Sequence, residues 1–327
     1  MKANIAVIAV LVASAIPARA AQPSAAAGGD PNYPSRPIRL IVPQAPGGSN
    51  DIMARYVGLQ LGERLRRQIV VDNRPGAEGM IGTDLVAKAT PDGYTLLMAS
   101  AAFTQNPAVR ARLPYDPLKD FDWAAMLGSG AVVVTVSPSM PVNTLQELVA
   151  LGRAKPGYLT AASAGGFNHF VTALFKGLSG VDMVIALYKG GFPALIDVMG
   201  GQAHLAVPTL VTALPHIRSG KLRPLATGGA KRSATLPELP TISESGAPGY
   251  EAGIWWAFAT PAGTPAGIIN KLNAEVAAVL KMPETEKRFA QEGAETWPMT
   301  PADIRRMIPV DMAKWAKVAR DSGMQKQ

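Results

Sequence analysis

From Ile38 onward the chain is a series of short apolar runs separated by helical patterns, and this alternation limits the fold more than any other feature. The runs are "IRLIV" (38–42), "IVVD" (69–72), "YTLLMA" (94–99), "AVVVTV" (131–136), "YLTAAS" (158–163), "MVIALY" (183–188), "HLAV" (204–207) and "RPLAT" (223–227). Strand-length runs alternating with helical segments predict an α/β fold with mostly parallel strands. Between them, Met53, Val57, Leu61 and Leu65 recur every four residues, with Ile52 and Tyr56 alongside, and predict a helix with one buried stripe. Thr144 and Glu147 read as a capping box, Thr264 with Pro265 as the start of a helix carrying Ile268, Leu272, Val276 and Val279, and Thr300 with Pro301 as the start of the last helix. Pro309 falls inside that last helix and is expected to kink it.

Residues 1–20 read as a secretory signal peptide, with Lys2, the uncharged run "ANIAVIAVLVASAIPA" and "ARA" ahead of a cut after Ala20. One lysine and no twin arginine favour the general secretion route. Residues 21–32 are small, polar and rich in Pro and Gly, and read as a loose arm. The expected location is therefore periplasmic, and no later stretch reaches the ~18 apolar residues a membrane helix needs. The chain contains no cysteine, which excludes lipidation at the cut, disulfides and a thiol nucleophile.

The roughly 300 residues left exceed what one core usually serves, and so favour two lobes. The long connection "GGAKRSATLPELPTISESGAPGYEAG" (228–253) reads as a crossing between them. One lobe is expected to comprise 33–130 and 248–327, the other 131–247. Losing Lys2 and Arg19 lowers the net charge from +8 to +6, a modest excess that suits an anionic ligand. The basic residues are scattered, and the densest cluster, "ERLRR" (63–67), reads as a solvated helix face, which argues against nucleic acid.

Four loops repeat one design, in which an apolar run passes through glycines into a helix: "VPQAPGGSND" (42–51), "VVDNRPGAEGMIGTD" (70–84), "YLTAASAGGFNH" (158–169) and "MVIALYKGGFPAL" (183–195). In an open sheet such loops gather at the carboxyl ends of the strands, where helix starts offer unpaired N–H groups to an anion. No G-x-G-x-x-G follows the first strand and no G-x-x-x-x-G-K-[ST] surrounds Gly47 and Gly48, so both common nucleotide fingerprints are missing. Asp51 would repel a polyphosphate, yet it complements the helix dipole. A plain turn capped by Ser49 or Asn50 is the alternative for the first loop. Facing helix starts in two lobes can instead hold a small diacid.

Catalytic patterns are weak. "AASAG" (161–165) lacks the first glycine of G-x-S-x-G, although a hydrolase using Ser163 and one of His169, His204 and His216 stays open as an alternative. There is no H-E-x-x-H and no tight Asp or His cluster for a metal. Trp255 and Trp256 should point to opposite faces if they lie in a strand, with one free to line a cleft.

Taken together, "YPSRPIRLIVPQAPGGSNDIMAR", "VVDNRPGAEGMIGTDLVAKATPDGYTLLM", "YDPLKDF", "VDMVIALYKGGFPALIDVMGGQ", "ALPHIRSGKLRPLATGGAKRSATLPELPTISESGAPGYE" and "PAGTPAGIINKLNAEV" resemble the Bug family, from about Tyr33 to the C-terminus. These are the extracytoplasmic substrate-binding proteins of tripartite tricarboxylate transporters. The resemblance implies a two-lobed periplasmic binding protein fold of type II, with hinge strands, that closes over a carboxylate or related metabolite without breaking a bond. It implies no cofactor, and as partners the ligand and the transporter's membrane subunits, with the protein itself a monomer. A ligand sensor that docks a membrane sensor protein is the alternative within this reading. By position, the resemblance assigns ligand contacts to Gln44, Gly47, Gly48, Asn50 and Asp51 from the first lobe. From the second it assigns Ser163, Gly166, Asn168, His169, Tyr188, Lys189 and Gly190, with Ser100 and Thr209 at corresponding strand ends. Relatives often carry an aromatic residue in place of Gln44, a "G-S-x-x-H" pattern around 166–169 and an aspartate near Pro208. With Phe167 and Phe192 adding bulk, these departures point to an aromatic or otherwise bulky acid and away from an amino group.

Overall fold

The computed structural model describes residues 32–326. The signal peptide, its cut and the arm up to residue 31 lie outside the described residues. In chain order the strands are β1 (Ile38–Val42), β2 (Ile69–Asn73), β3 (Thr95–Ser100), β4 (Phe121–Ala131), β5 (Val133–Val136), β6 (Leu159–Ser163), β7 (Met183–Leu187), β8 (Leu205–Ala206), β9 (Arg223–Thr227), β10 (Gly253–Pro261) and β11 (Ala294–Thr296). The helices are α1 (Ser49–Leu65), α2 (Met80–Ala87), α3 (Ala101–Val109), α4 (Leu145–Ala154), α5 (Gly166–Ser179), α6 (Gly191–Met199), α7 (Leu210–Arg218), α8 (Ile242–Ser245), α9 (Ala266–Leu280), α10 (Pro283–Gln291) and α11 (Pro301–Asp321).

The strands form two sheets, ordered β11-β4-β10-β3-β1-β2 and β7-β6-β8-β5-β9. This is a two-lobed α/β architecture, but the sheets are mixed rather than mostly parallel. In the first, β1 runs parallel to β2 and β3, whereas β10 is antiparallel to β3 and β4, and β11 is antiparallel to β4. In the second, β6 runs parallel to β7 and β8 while β5 opposes β8 and β9. The reason is connectivity. Chain leaving the first sheet along β4 returns along β10, and a return stroke beside its own exit must run the opposite way.

Strand β4 is missing from the apolar runs read in the sequence, because "MLGSGA" breaks its apolar pattern with glycine and serine. Its glycines are there for packing: a Cβ on Gly128 would lie 2.4 Å from the Glu295 carbonyl oxygen and 2.6 Å from the Phe289 ring, so β11 can close on β4 only over a bare backbone. The helix starts also depart from expectation in detail. Thr300 caps α11 as predicted, accepting from the Asp303 amide at 3.2 Å. Thr144 caps α4, but Glu147 takes the amide of Asn143 and leaves that of Thr144, so the capping box is half formed. Thr264 donates to the Pro261 carbonyl, and Pro265 is the N-cap of α9. Helix α5 begins at Gly166, directly after its N-cap Gly165.

Candidate ligand-binding site

Asn50 is the hub of the first-lobe loop. Trp256 and Ser100 are register partners on β10 and β3. That register sets both beside the first turn of α1, where Asn50 joins them. The Trp256 indole donates to Asn50 Oδ1 at 2.8 Å, and Asn50 Nδ2 donates to Ser100 Oγ at 3.0 Å and to Gln44 Oε1 at 2.5 Å. A buried Trp N–H needs an acceptor. Asn50 meets that need and passes its own donor to Gln44. The two tryptophans do point to opposite faces: Trp256 acts behind Asn50, while Trp255 donates to Asp311 at 3.0 Å and lines a cavity between α5, β10 and α11.

Asp51 braces the loop from below. Its carboxylate accepts from the Gly47 amide at 3.0 Å, from Arg55 at 3.0 Å and from Asn73 Nδ2 at 3.0 Å, and Asn73 also donates to the Gln44 carbonyl at 3.1 Å. Burial alone would raise this carboxyl, but the hydrogen bonds from Arg55, the Gly47 amide and Asn73 outweigh it and hold it below the ordinary range. A depressed folded value means that the stabilisation is complete above the ordinary carboxylate range and is lost as pH falls through the depressed value. Wild type should therefore unfold at higher denaturant than Asp51→Asn near neutrality, with the gap shrinking below about pH 4. Denaturant titrations at stepped pH check this.

In the second lobe, Gly165 and Gly166 take φ of 76° and 47°, a left-handed pair that lets the chain turn from β6 straight into α5. Ser163 Oγ and His169 Nδ1 are buried without a protein hydrogen-bond partner, and both amide atoms of Gln105, on α3, are in the same state. Burial lowers the His169 imidazole, and Glu78 partly opposes that shift. The Tyr188 amide donates to the Ser163 carbonyl at 2.8 Å, tying the two second-lobe loops together. The Tyr188 hydroxyl is committed to Asp197 at 2.7 Å, which raises its pKa. Lys189 is exposed, and Thr209 pairs with Thr212 at 3.1 Å as α7 begins. Phe167 does not add bulk to a pocket: it is 8% exposed and meets Trp315 edge-on at 6.3 Å, because Phe167 and Phe170 form the stripe that seats α5 on α11. Phe192 is 63% exposed beside His216.

The helix starts at these loops share one property. The N-caps of α1, α3, α5, α6 and α7 are Gly48, Ser100, Gly165, Gly190 and Thr209, and none gives its helix a side-chain cap. Neither Ser49 nor Asn50 caps α1, which corrects the plain-turn alternative. Thr144, Thr241 and Thr300 close α4, α8 and α11, whereas α2, α9 and α10 also lack a side-chain cap, so it is the open start together with its place at a strand-end loop that marks these helices. Uncapped first turns keep amide donors and a partial positive charge for an anion. A cavity of about 880 Å³ lies elsewhere, between α5, β10 and α11, and none of its lining residues belongs to these loops. Among the described residues no His, Asp and Glu cluster fit for a metal occurs, and no helix is long and apolar enough to cross a membrane.

Residues 53–324 match the model of the tripartite tricarboxylate transporter family receptor, TctC. The chain belongs to this family. The receptor is 37% identical to protein BugT of Bordetella pertussis, over 89% of this chain and 90% of that one. Rpa4515 of R. palustris, solved with adipate, is 34% identical and superposes with a TM-score of 0.86 over 90% of this chain and all of that one. MatC of Rhodopseudomonas palustris, solved with bound malate, is 28% identical with a TM-score of 0.78, over 88% of this chain and 99% of that one. The family is one of periplasmic solute-binding proteins, and the receptor's role is to bind a ligand.

The sequence singled out Trp256 and the loop 70–84 but not what their side chains do. Trp256 and Asn73 hold Asn50 and Gln44 in place from distant strands, and the Glu78 carboxylate comes within reach of the Gly165 loop.

Proposed function

We propose that this receptor captures a small carboxylate between the uncapped starts of α1 and α3 in one lobe and of α5 and α6 in the other, and delivers it to the membrane subunits of a tripartite tricarboxylate transporter. The single observation that carries this reading is that these helices begin at strand-end loops of both lobes with no side-chain cap, while Asn50 in the first turn of α1 donates to Gln44. Adipate and malate, held by two similar proteins, are acids of the size such a clamp accommodates. In this reading Gly47, Gly48 and Ser100 offer first-lobe contacts, Gly166, Asn168, His169 and Gly190 offer second-lobe contacts, and Asp51 and Tyr188 act as braces. The lobes are residues 33–130 with 248–327, and 131–247, and the chain is exported and cut after Ala20. The hydrolase alternative is disfavoured by Ser163 Oγ, which makes no hydrogen bond to a histidine base.

The test is a thermal-shift screen of the processed protein against adipate, malate, citrate, benzoate, nicotinate and glutamate. A binding acid at ~100 times its dissociation constant should stabilise the fold by ~2.7 kcal/mol. Stabilisation by neutral analogues alone would refute the carboxylate assignment.

A further inference from the structure

The segment between β2 and α2 is the most strained in the described chain. Gly76, Ala77, Glu78 and Gly79 all take positive φ, at 125°, 47°, 55° and 89°. Glycine adopts such angles freely, but Ala77 and Glu78 pay for them, and a non-glycine residue persists in the left-handed region only where its surroundings hold it there.

The holding groups are visible. Asn106 donates to the Glu78 carbonyl at 3.3 Å, Thr83 donates to the Gly79 carbonyl at 2.8 Å, and Arg110 meets Glu78 Oε2 at 3.0 Å. The loop is thus pinned to α3 and α2 while one carboxylate oxygen of Glu78 is directed outward. That oxygen, Oε1, lies 3.9 Å from where a Gly165 Cβ would stand, on the second-lobe ligand loop. Glu78 also opposes the effect of burial on His169, in the first turn of α5. On its other side the same loop leans on the cradle, since a Cβ on Gly79 would be 3.2 Å from Gln44 Nε2.

We propose that Glu78 is a positioning residue for closure: it links Gln44 in the first lobe to the Gly165–His169 segment in the second, and holds that segment where a ligand needs it without touching the ligand. A strained acidic residue with both lobes against it, one through its main-chain neighbour and one through its carboxylate, is what such a latch requires. The strained backbone is held by Asn106 and Thr83 of its own lobe, and it is the carboxylate that reaches the other. An open form forfeits that contact while Arg110 retains the side chain for the next closure.

The absence of cysteine gives a direct test. Cysteines introduced at Leu59 and Val184, which are 62% and 54% exposed on the two lobes, take a donor and an acceptor dye for single-molecule energy transfer. Glu78→Gly fits the positive φ and should melt no lower than wild type. It should shift the unliganded and the adipate-saturated distributions toward the open state and weaken adipate about tenfold, as expected when the closed fraction falls by that factor. Arg110→Gln removes the brace without altering the loop and should open the protein in the same way. Wild-type closure in either variant overturns the proposal. The ligand arm rests on the carboxylate-binding reading. Wild-type protein that ignores every acid of the panel would sink that reading, while the unliganded distributions test Glu78 by themselves.

Discussion

Asn50→Leu should lower carboxylate affinity about a hundredfold and also cost fold stability, because one side chain serves three partners. Leucine is nearly isosteric, so packing changes little. The Trp256 indole N–H, fully buried, loses its acceptor, and an orphaned buried donor costs roughly 1–3 kcal/mol. Gln44 and Ser100 lose the common donor that aligns them, and a hundredfold in affinity corresponds to about 2.8 kcal/mol. Asn50→Asp is the informative companion. It keeps an acceptor for Trp256 but replaces the shared donor with a negative charge, so it should retain more stability than leucine and bind an acid no better. Calorimetric titration with the best acid of the panel, beside urea denaturation of each variant, separates the two effects. A leucine variant with reduced stability and undiminished affinity would show Asn50 to be a packing residue only.

Trp315→Ala should cost roughly 3–5 kcal/mol, the range for deleting a large buried ring, and lower the melting temperature by roughly 10 °C. Trp315 is fully buried on α11 and receives the edges of Phe170 at 5.7 Å and Phe167 at 6.3 Å, both from α5. It therefore seats α5, the helix that follows the Gly165–Gly166 turn, on the first lobe, and affinity should fall along with stability. Trp297→Ala, removing a ring that is 40% exposed, is the control and should cost under about 1 kcal/mol. Equal melting temperatures for the two variants would contradict the role given to Trp315.

The inner parallel strands were legible because both faces are covered, which writes a continuous apolar run, while the edge strands β2 and β7 keep apolar runs although partly exposed. Ile38, Leu40, Ile41 and Val42 are all fully buried in β1, and "IRLIV" says so directly. The strands joining the lobes were harder to see. The β4 sequence interleaves glycine and serine where β11 and Trp256 press on its backbone, and β11 is too short to show a period. The expectation of mostly parallel strands failed because the antiparallel pairings of β10 and β5 carry no mark in the local sequence.

In the candidate site, the loops carry a local signature in the sequence and their supports do not. Glycine pairs ahead of apolar helices mark 47–48, 165–166 and 190–191. Nothing near Asn50 announces an indole 206 residues away, and nothing in "PGAEG" reveals that Ala77 and Glu78 take angles suited to glycine. Phe167 misled for the opposite reason: its neighbourhood in sequence is the ligand loop, but a helix turns each side chain by 100°, and that angle aims it at Trp315.

The place of β10 has a consequence for how the molecule is made. It sits between β3 and β4, paired to both, yet residues 253–261 are synthesised long after either neighbour. A chain delivered N-terminus first therefore exposes one half-sheet, β2-β1-β3, and a separate β4, while the second sheet, drawn wholly from residues 133–227, already has every strand it needs. The later part of the chain can fold before the earlier part is finished, and the middle strand of the first lobe arrives as its keystone. For some 120 residues of synthesis or translocation the edges of β3 and β4 stand unpaired, which is the interval in which a truncated or stalled chain is most open to misassociation.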